Sequence, residues 1–448
     1  MAKYKPYEKY KDSGIEWIGQ VPEHWGETKI KHIAKINKRA LPESTPNDYI
    51  IDYVDIGSVT PEGKVNSVQT VTFEKSPSRA RRIILDGDTI VSTVRTYLKA
   101  ITWFDSPPKN LICSTGFAVL SPTDSISPKF LFRLMQSEPY INEIVSRSTG
   151  VSYPAINASE IGQFLCYLPL LEEQQAIANF LDQKTSEIDA LIADKEKLIK
   201  ILQEYRQSVI SEAVTKGLNP DVKMKDSGVE WIGQVPEHWK SRKLKHVMKL
   251  VYRYPTYYGI SYQSTGVLEI RGEMLSEDGT ICTKSCEPRY ISEETASKFP
   301  RTKLEVDDIV MSVRGTMGKV GIVTLKEEGS NITANLLRLS PDTNAIYSQW
   351  LIKVLRSFNF HQELDNCCDK TTIQTVRVPK LLDIYIPFPS LGEQQAIANF
   401  LDQKTFEIDD LIADIRNSID SLKHYRQSLI SEAVTGKIDV RGYDSEGH

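Results

Sequence analysis

The chain has 448 residues, 40 % of them hydrophobic and 25 % charged, with a formal net charge of −4. That length suggests two to four domains with real cores, and the balance excludes a protein held to a polyanion by its overall field, though not one with local basic surfaces. No run reaches the roughly 20 apolar residues of a membrane span, the polar start MAKYKPYEKYKDSG lacks the apolar core of a secretory leader, and six sparse cysteines suit a reducing compartment; a cytoplasmic protein with no membrane partner is expected.

In chain order, the first feature is DSGIEWIGQVPEHW at residues 12–25, which returns 214 residues later as DSGVEWIGQVPEHW at 226–239. Four of the chain's six tryptophans, Trp17, Trp25, Trp231 and Trp239, lie in these two copies. They read either as packing that clamps a domain to a helix or as anchors for a partner subunit. His24 and His238 stand beside a carboxylate, but nothing nearby in sequence supplies a nucleophile.

Residues 26–171 follow as a first insert of domain length, with strand-like runs at 89–94 and 117–120 and a helical stretch at 129–145. Residues 172–213 then lack Pro and Gly and carry apolar residues at heptad spacing. One row runs Leu181, Ile188, Lys195, Leu202, Val209, and the partner row runs Ile177, Lys184, Leu191, Leu198, Tyr205. EQQAIANFLDQKT at 173–185 returns letter for letter at 393–405, and its heptad rows return with it. Each copy ends at a glycine, Gly217 or Gly436, a natural helix stop. Between the repeats lies a second insert, 240–391, with strand-like runs at 308–313 and 336–339 and a helix at 348–355. Val94-Arg95 matches Val313-Arg314, and Leu120-Ser121-Pro122 matches Leu339-Ser340-Pro341, so the inserts share one mixed α/β fold with different surfaces.

The chain therefore divides into a frame segment with the first insert (1–171), a long helix (172–216), a linker with the repeated frame and second insert (217–391), a second long helix (392–436) and a tail (437–448). Two matching seams in one chain meet at high effective concentration. The expected architecture is two globular α/β domains separated by two long helices in an intramolecular antiparallel coiled coil, as a pseudo-two-fold repeat.

Signatures of catalysis are missing: GTMGKV at 315–320 is too short for a phosphate loop, and no dinucleotide fingerprint or amine-methylating Asn/Asp-Pro-Pro-aromatic motif occurs. Cys282, Cys286, Cys367 and Cys368 fit no common zinc spacing and read as free, buried thiols. A binding protein is indicated. In the first insert KSPSRARR offers Lys75, Arg79, Arg81 and Arg82 without an acid, read as a loop. After the strand-like run at 89–94, Arg95, Tyr97 and Lys99 alternate, offering a base-edge donor, a stacking ring and a phosphate contact. The second insert has Arg314, Thr316 and Lys319 in the matching place, with two glycines that would let backbone approach a partner. Pairing of Arg95 with Asp88, or Arg314 with Asp308, is the structural alternative. Late in each insert come Arg147, Ser148, Thr149 and Tyr153, and Lys370, Thr371, Thr372 and Gln374, whose donors suit phosphates or base edges, or a plain turn.

The duplicated plan, EWIGQVPEHW, the EQQAIANFLDQKT helix entry and the EAVTGKIDVR tail resemble the specificity subunits of type I restriction–modification systems, over essentially the whole chain. The resemblance implies two target-recognition domains, each reading one half of a split site in double-stranded DNA. It also implies two methyltransferase subunits and restriction/translocase subunits as partners. No cofactor is expected in this chain; S-adenosylmethionine, ATP and Mg are expected in the partners. A coiled-coil adaptor whose two domains bind proteins is the alternative.

Overall fold

The computed structural model describes residues 4–253, 261–369 and 375–443. Contacts gather the chain into two units, one built from Met1–Lys195 with Arg416–His448 and the other from Glu196–Ile415. The division runs through the long helices, Leu171–Lys216 and Leu391–Val434.

In the first unit, Tyr10–Asp12 and Gln20–Pro22 form an antiparallel hairpin. Asp12 explains the turn: its Oδ1 accepts the Gly14 N–H at 2.9 Å, and Gly14 and Gly19 take positive φ, where a side chain would be strained. The insert then builds two four-stranded sheets. One orders Gln69–Thr72, Ile50–Val54, Leu111–Ser114 and Ala80–Ile83, with Leu111–Ser114 running parallel to Ile50–Val54. The other orders Ala34–Ile36, Phe117–Pro122, Thr89–Ser92 and Ile101–Trp103, all antiparallel. Leu165–Leu168 returns to pair with Gly26–Lys29, so the insert begins and ends side by side, at the entry to the long helix.

The helix expected over 129–145 is two helices, Pro128–Gln136 and Glu138–Ser146. Ser137 breaks them by taking extended dihedrals as the N-cap of the second helix, whose Pro139 could not sit inside a continuous helix, lacking an N–H and clashing with the carbonyl four residues back; its hydroxyl donates to the Leu134 carbonyl at 2.7 Å. The second unit repeats the plan. It has the hairpin Met224–Asp226 with Gln234–Pro236, the pairing of Lys240–Lys243 with Tyr385–Phe388, and a break at Ser357 between Ser348–Leu355 and Phe358–Asn366.

Each unit's core joins the start of one long helix to the end of the other. Ile177, Leu181 and Ile188 pack with Leu429, Ile430 and Val434 around Trp25, and Ile397 and Leu401 pack with Ile210 and Val214 around Trp239. Within the first unit Arg426 Nε meets Asp189 at 2.9 Å, and within the second Arg206 Nε meets Asp409 at 3.1 Å. In both units the helix portions therefore run antiparallel. The heptad row through Leu181, Ile188 and Leu202 faces inward, as does its copy through Leu401, Ile408, Ile415 and Leu429. The partner row is inward only at its start, Ile177 and Ile397. Leu191, Leu198, Tyr205 and Leu411 are exposed, and the inward places belong to Thr185, Ile192, Ile199 and Arg206, with Thr405, Ile412, Ile419 and Arg426 in the copy.

The first turn of each long helix is the grip on the frame. Glu173 accepts from Tyr7 Oη at 2.7 Å and Trp25 Nε1 at 3.1 Å, and lies 2.9 Å from His24 Nε2. Glu393 accepts from Trp239 Nε1 at 3.1 Å and from Ser390 Oγ at 2.7 Å, and lies 2.7 Å from His238 Nε2. The next residue holds the insert: Gln174 Oε1 accepts the Ser127 N–H at 2.9 Å, and Gln394 Oε1 accepts the Tyr347 N–H at 2.7 Å. Burial alone would raise the Glu393 carboxyl, but hydrogen bonds from His238, Trp239 and Ser390 outweigh it and hold the pKa at about 2. A carboxylate with a depressed folded pKa stabilises above its unfolded value, about 4.3, and loses that contribution as pH falls towards 2. Glu393→Gln is expected to lower stability by about 1 kcal/mol at pH 7, the low end for a charged hydrogen bond at a partly exposed site. Urea titrations should show the gap between wild type and variant closing between pH 4.5 and 2; a gap independent of pH would contradict the assignment.

Candidate nucleic-acid interface

The loop after Thr89–Ser92 is built against the late segment of the insert. Arg95 N donates to the Pro154 carbonyl at 2.8 Å, Ile156 N to Thr93 O at 2.9 Å, and Thr96 Oγ1 lies 2.8 Å from Ser148 Oγ. Thr149 and Ala155 exchange two backbone hydrogen bonds of 2.9 Å, closing a tight return around Gly150 (φ 113°). The Arg95 guanidinium lies 4.7 Å over the Tyr153 ring. Two clusters that are 50 residues apart in sequence thus form one surface, with Arg95, Tyr97, Lys99, Thr149 and Tyr153 all exposed.

Arg95 and Lys99 both sit in the left-handed region, at φ 53° and 52°. Residues with a Cβ lose roughly 1–2 kcal/mol there, and such strain gathers at functional sites. The second unit solves the same turn with Gly315 (φ 81°) and Gly318 (φ 79°). Gly318 answers to packing as well as to the backbone, since a Cβ there would come within 2.8 Å of His361, whereas Gly315 has open space around it.

Other candidates are partly committed elsewhere. Arg147 pairs with Glu143 through Nε at 2.6 Å and stacks on Phe164, while Ser148 turns inward and donates to the Ile144 carbonyl at 2.7 Å. Residues 75–82 are not a single loop. Lys75 and Arg79 are exposed, but Arg81 and Arg82 belong to the edge strand Ala80–Ile83. Arg81 stacks 4.5 Å over Phe73, and the Arg82 Nε is buried with no hydrogen-bond partner among the described residues. The turn at Thr115-Gly116 donates to Arg79 O and accepts from Thr93 N, tying this basic strand to the Arg95 loop.

In the second unit Arg314 and Thr316 are exposed and Lys319 is half-buried. Arg314 bridges to Thr375, and Val376 N donates to Val313 O at 3.0 Å, the same clip as in the first unit. Lys370, Thr371, Thr372 and Gln374 lie outside the described residues. The alternative partner for Arg314 is taken: Asp308 is bound by Arg338 Nε at 2.7 Å. Asp88 instead caps its own turn, accepting from Leu85 N at 2.8 Å. Arg253 escapes a reading by motif. Burial and then the charge of Arg314 lower its pKa, so two guanidinium groups share this face. No periodicity marks it, because its place depends on strand pairing.

Two further expectations are corrected. Trp25 and Trp239 are buried with their indole N–H groups on Glu173 and Glu393, so they clamp the frame and cannot anchor a partner, while Trp17 and Trp231 pack on Tyr140 and Phe360 and stay half-exposed. Cys282 is exposed and Cys286 half-buried rather than both buried, and the described residues hold no group of His, Cys, Asp or Glu able to bind a metal.

Replacing Lys99 by Gly relieves a left-handed side chain and is expected to raise stability by about 0.5–1 kcal/mol. Thermal unfolding checks this; unchanged or lower stability would show that the turn is unstrained.

A family model described as "Type I restriction modification DNA specificity domain" matches residues 22–200 and 236–421. The specificity subunit of the Escherichia coli type I enzyme EcoBI is 24 % identical over 71 % of this chain and 67 % of its own length. The MjaVIII specificity subunit of Methanocaldococcus jannaschii is 27 % identical over 74 % and 75 %. In fold, the chain is similar to a subunit from a solved type I restriction–modification assembly, with a TM-score of 0.74 and 22 % identity over 93 % of this chain and 99 % of that one. It is also similar to the HsdS subunit of Thermoanaerobacter tengcongensis, at TM-score 0.55 and 23 % identity over 93 % and 98 %. With both of its repeats matched, the chain belongs to the family of type I restriction–modification DNA specificity proteins.

Proposed function

We propose that this chain is the non-catalytic DNA-recognition subunit of a type I restriction–modification complex, with each unit reading one half of a bipartite site in duplex DNA. The observation that carries the reading is the acid-free loop surface of Arg95, Tyr97, Lys99 and residues 149–155, built on a strained turn in the first unit and echoed around Arg314 in the second. Guanidinium groups read base edges, lysines meet phosphates, and rings stack or pack in a groove. The exposed row Leu191, Leu198 and Tyr205 on the first long helix is the apolar face available to partner subunits. Two methyltransferase subunits are the partners that fit a duplicated scaffold. Those subunits, with the restriction/translocase subunits, would supply the S-adenosylmethionine, ATP and Mg chemistry, in the cytoplasm; no helix among the described residues is long and apolar enough to cross a membrane.

Adenine-methylation mapping of cells carrying the chain with its methyltransferase, against a deletion of the chain, tests the role. Two short half-sites around a fixed gap, lost on deletion, are expected; methylation indifferent to the deletion would refute it. The helix pair is proposed to set that gap. One heptad inserted after Ile201 and another after Asp414, each five residues from the Arg206–Asp409 pair, should lengthen the gap and leave both half-site sequences unchanged. A changed half-site sequence would dismiss the helices as a spacer.

A further inference from the structure

One side chain on the first unit's loop surface is used by nothing described so far. Val151 is 103 % exposed, at the tip of the return between Thr149 and Ala155. Single exposed valines are common on protein surfaces, but this one is mounted on a fixed base. Below it lie the paired hydrogen bonds between Thr149 and Ala155, the Arg95 N–H on Pro154 O, and the Thr96–Ser148 contact. Tyr153, 60 % exposed, is steadied by Arg95, and Tyr97, 54 % exposed, stands on the adjoining loop. Residues 93–101 and 147–155 contain three arginines and lysines and no acid; Glu143 is paired with Arg147, and Glu160 bonds to Asn157. An apolar tip on an acid-free return clipped to the Arg95 loop suits a polyanion that carries a small apolar feature in its groove. In duplex DNA that feature is the thymine C5-methyl, displayed only in the major groove.

We infer that Val151 seats against the C5-methyl of a thymine in the half-site read by the first unit and makes that position specific. The inference rests on the DNA-reading role proposed above. In it, Lys99 meets the phosphate strand, Arg95 reads a base edge, and Val151 distinguishes thymine from the other bases at its own position. The side chain is not needed for folding, since its removal uncovers nothing.

The test uses the full chain assembled with its methyltransferase on synthetic duplexes carrying the mapped site. Each thymine of the first unit's half-site is replaced, one at a time, by deoxyuridine, which lacks only the methyl. Wild type should lose about four-fold in affinity at one position, the worth of one buried methyl group. Val151→Ala should bind the normal site about as weakly as wild type binds that deoxyuridine duplex, and should lose nothing further from the replacement. Its melting temperature should match wild type.

Wild-type binding indifferent to deoxyuridine at every position, or a half-site without thymine, overturns the inference. So does an alanine variant as sensitive to the replacement as wild type. A Val151→Ala chain that assembles poorly with the methyltransferase in the absence of DNA would also overturn it and assign the tip to a protein contact. Failure of the underlying reading looks different: no sequence preference in binding on any duplex.

Discussion

A carboxylate in the first turn of each long helix is the contact on which the rest depends. Glu173 and Glu393 stand at the positive end of the helix dipole, where an anion is favoured, and each gathers the indole and imidazole of a His-Trp pair. The neighbouring glutamines reach the other way, to the backbone N–H groups of Ser127 and Tyr347. Asp182, nine residues beyond Glu173, pairs with Lys129 and Arg133, and Asp402 pairs with Lys353. One stretch of helix therefore fastens frame and insert together. It does so through backbone amides and simple charges, which ask little of the insert's own sequence. That explains how EQQAIANFLDQKT can be repeated unchanged beside inserts that have diverged.

The inserts differ most where the fold constrains them least. Both clip the loop after a central strand to the late segment with equivalent backbone hydrogen bonds, Ile156 to Thr93 and Val376 to Val313. On that shared base one unit holds arginine and lysine in left-handed conformations, and the other places glycines. A glycine would be the cheaper choice at Arg95 and Lys99 on backbone grounds alone. The proposed DNA-reading role gives those side chains a use that would offset the strain, and an exposed surface without acids is compatible with it.

Much of this was legible in the amino-acid order, and the parts that were not have definite causes. The frames, the long helices and the inward heptad row through Leu181 and Leu401 follow from repetition and spacing. The second row is misassigned because Leu191, Leu198 and Tyr205 are apolar yet face outward, and Arg206 and Arg426 occupy inward places as ion pairs. Apolarity marks surfaces that bind as well as surfaces that pack. The parallel pairing of Leu111–Ser114 with Ile50–Val54 is long-range and leaves no local pattern. Arg95, Tyr97 and Lys99 are visible as an alternation, but their union with residues 147–153 is made by tertiary contacts. Arg81, though part of an obvious basic run, is stacked on Phe73 by a strand that the Pro and Ser residues disguised as a loop.

The way the chain is shared between the units also imposes an order of events during synthesis. The second unit is one continuous stretch, Glu196–Ile415, whose partners have all been made once Ile415 is. The first unit needs Arg416–His448 as well: Tyr10 bonds to the carbonyl of Lys437 at 3.2 Å, and Trp25 packs in the core that holds Val434. Its early residues must wait for partners some 400 positions further along the chain. Until then, Ile177, Leu181 and Ile188 lack the helix that covers them, and loop closure over some 400 residues is slow. The unit made first is therefore the last to close, and the nascent chain carries an open apolar seam for most of its synthesis.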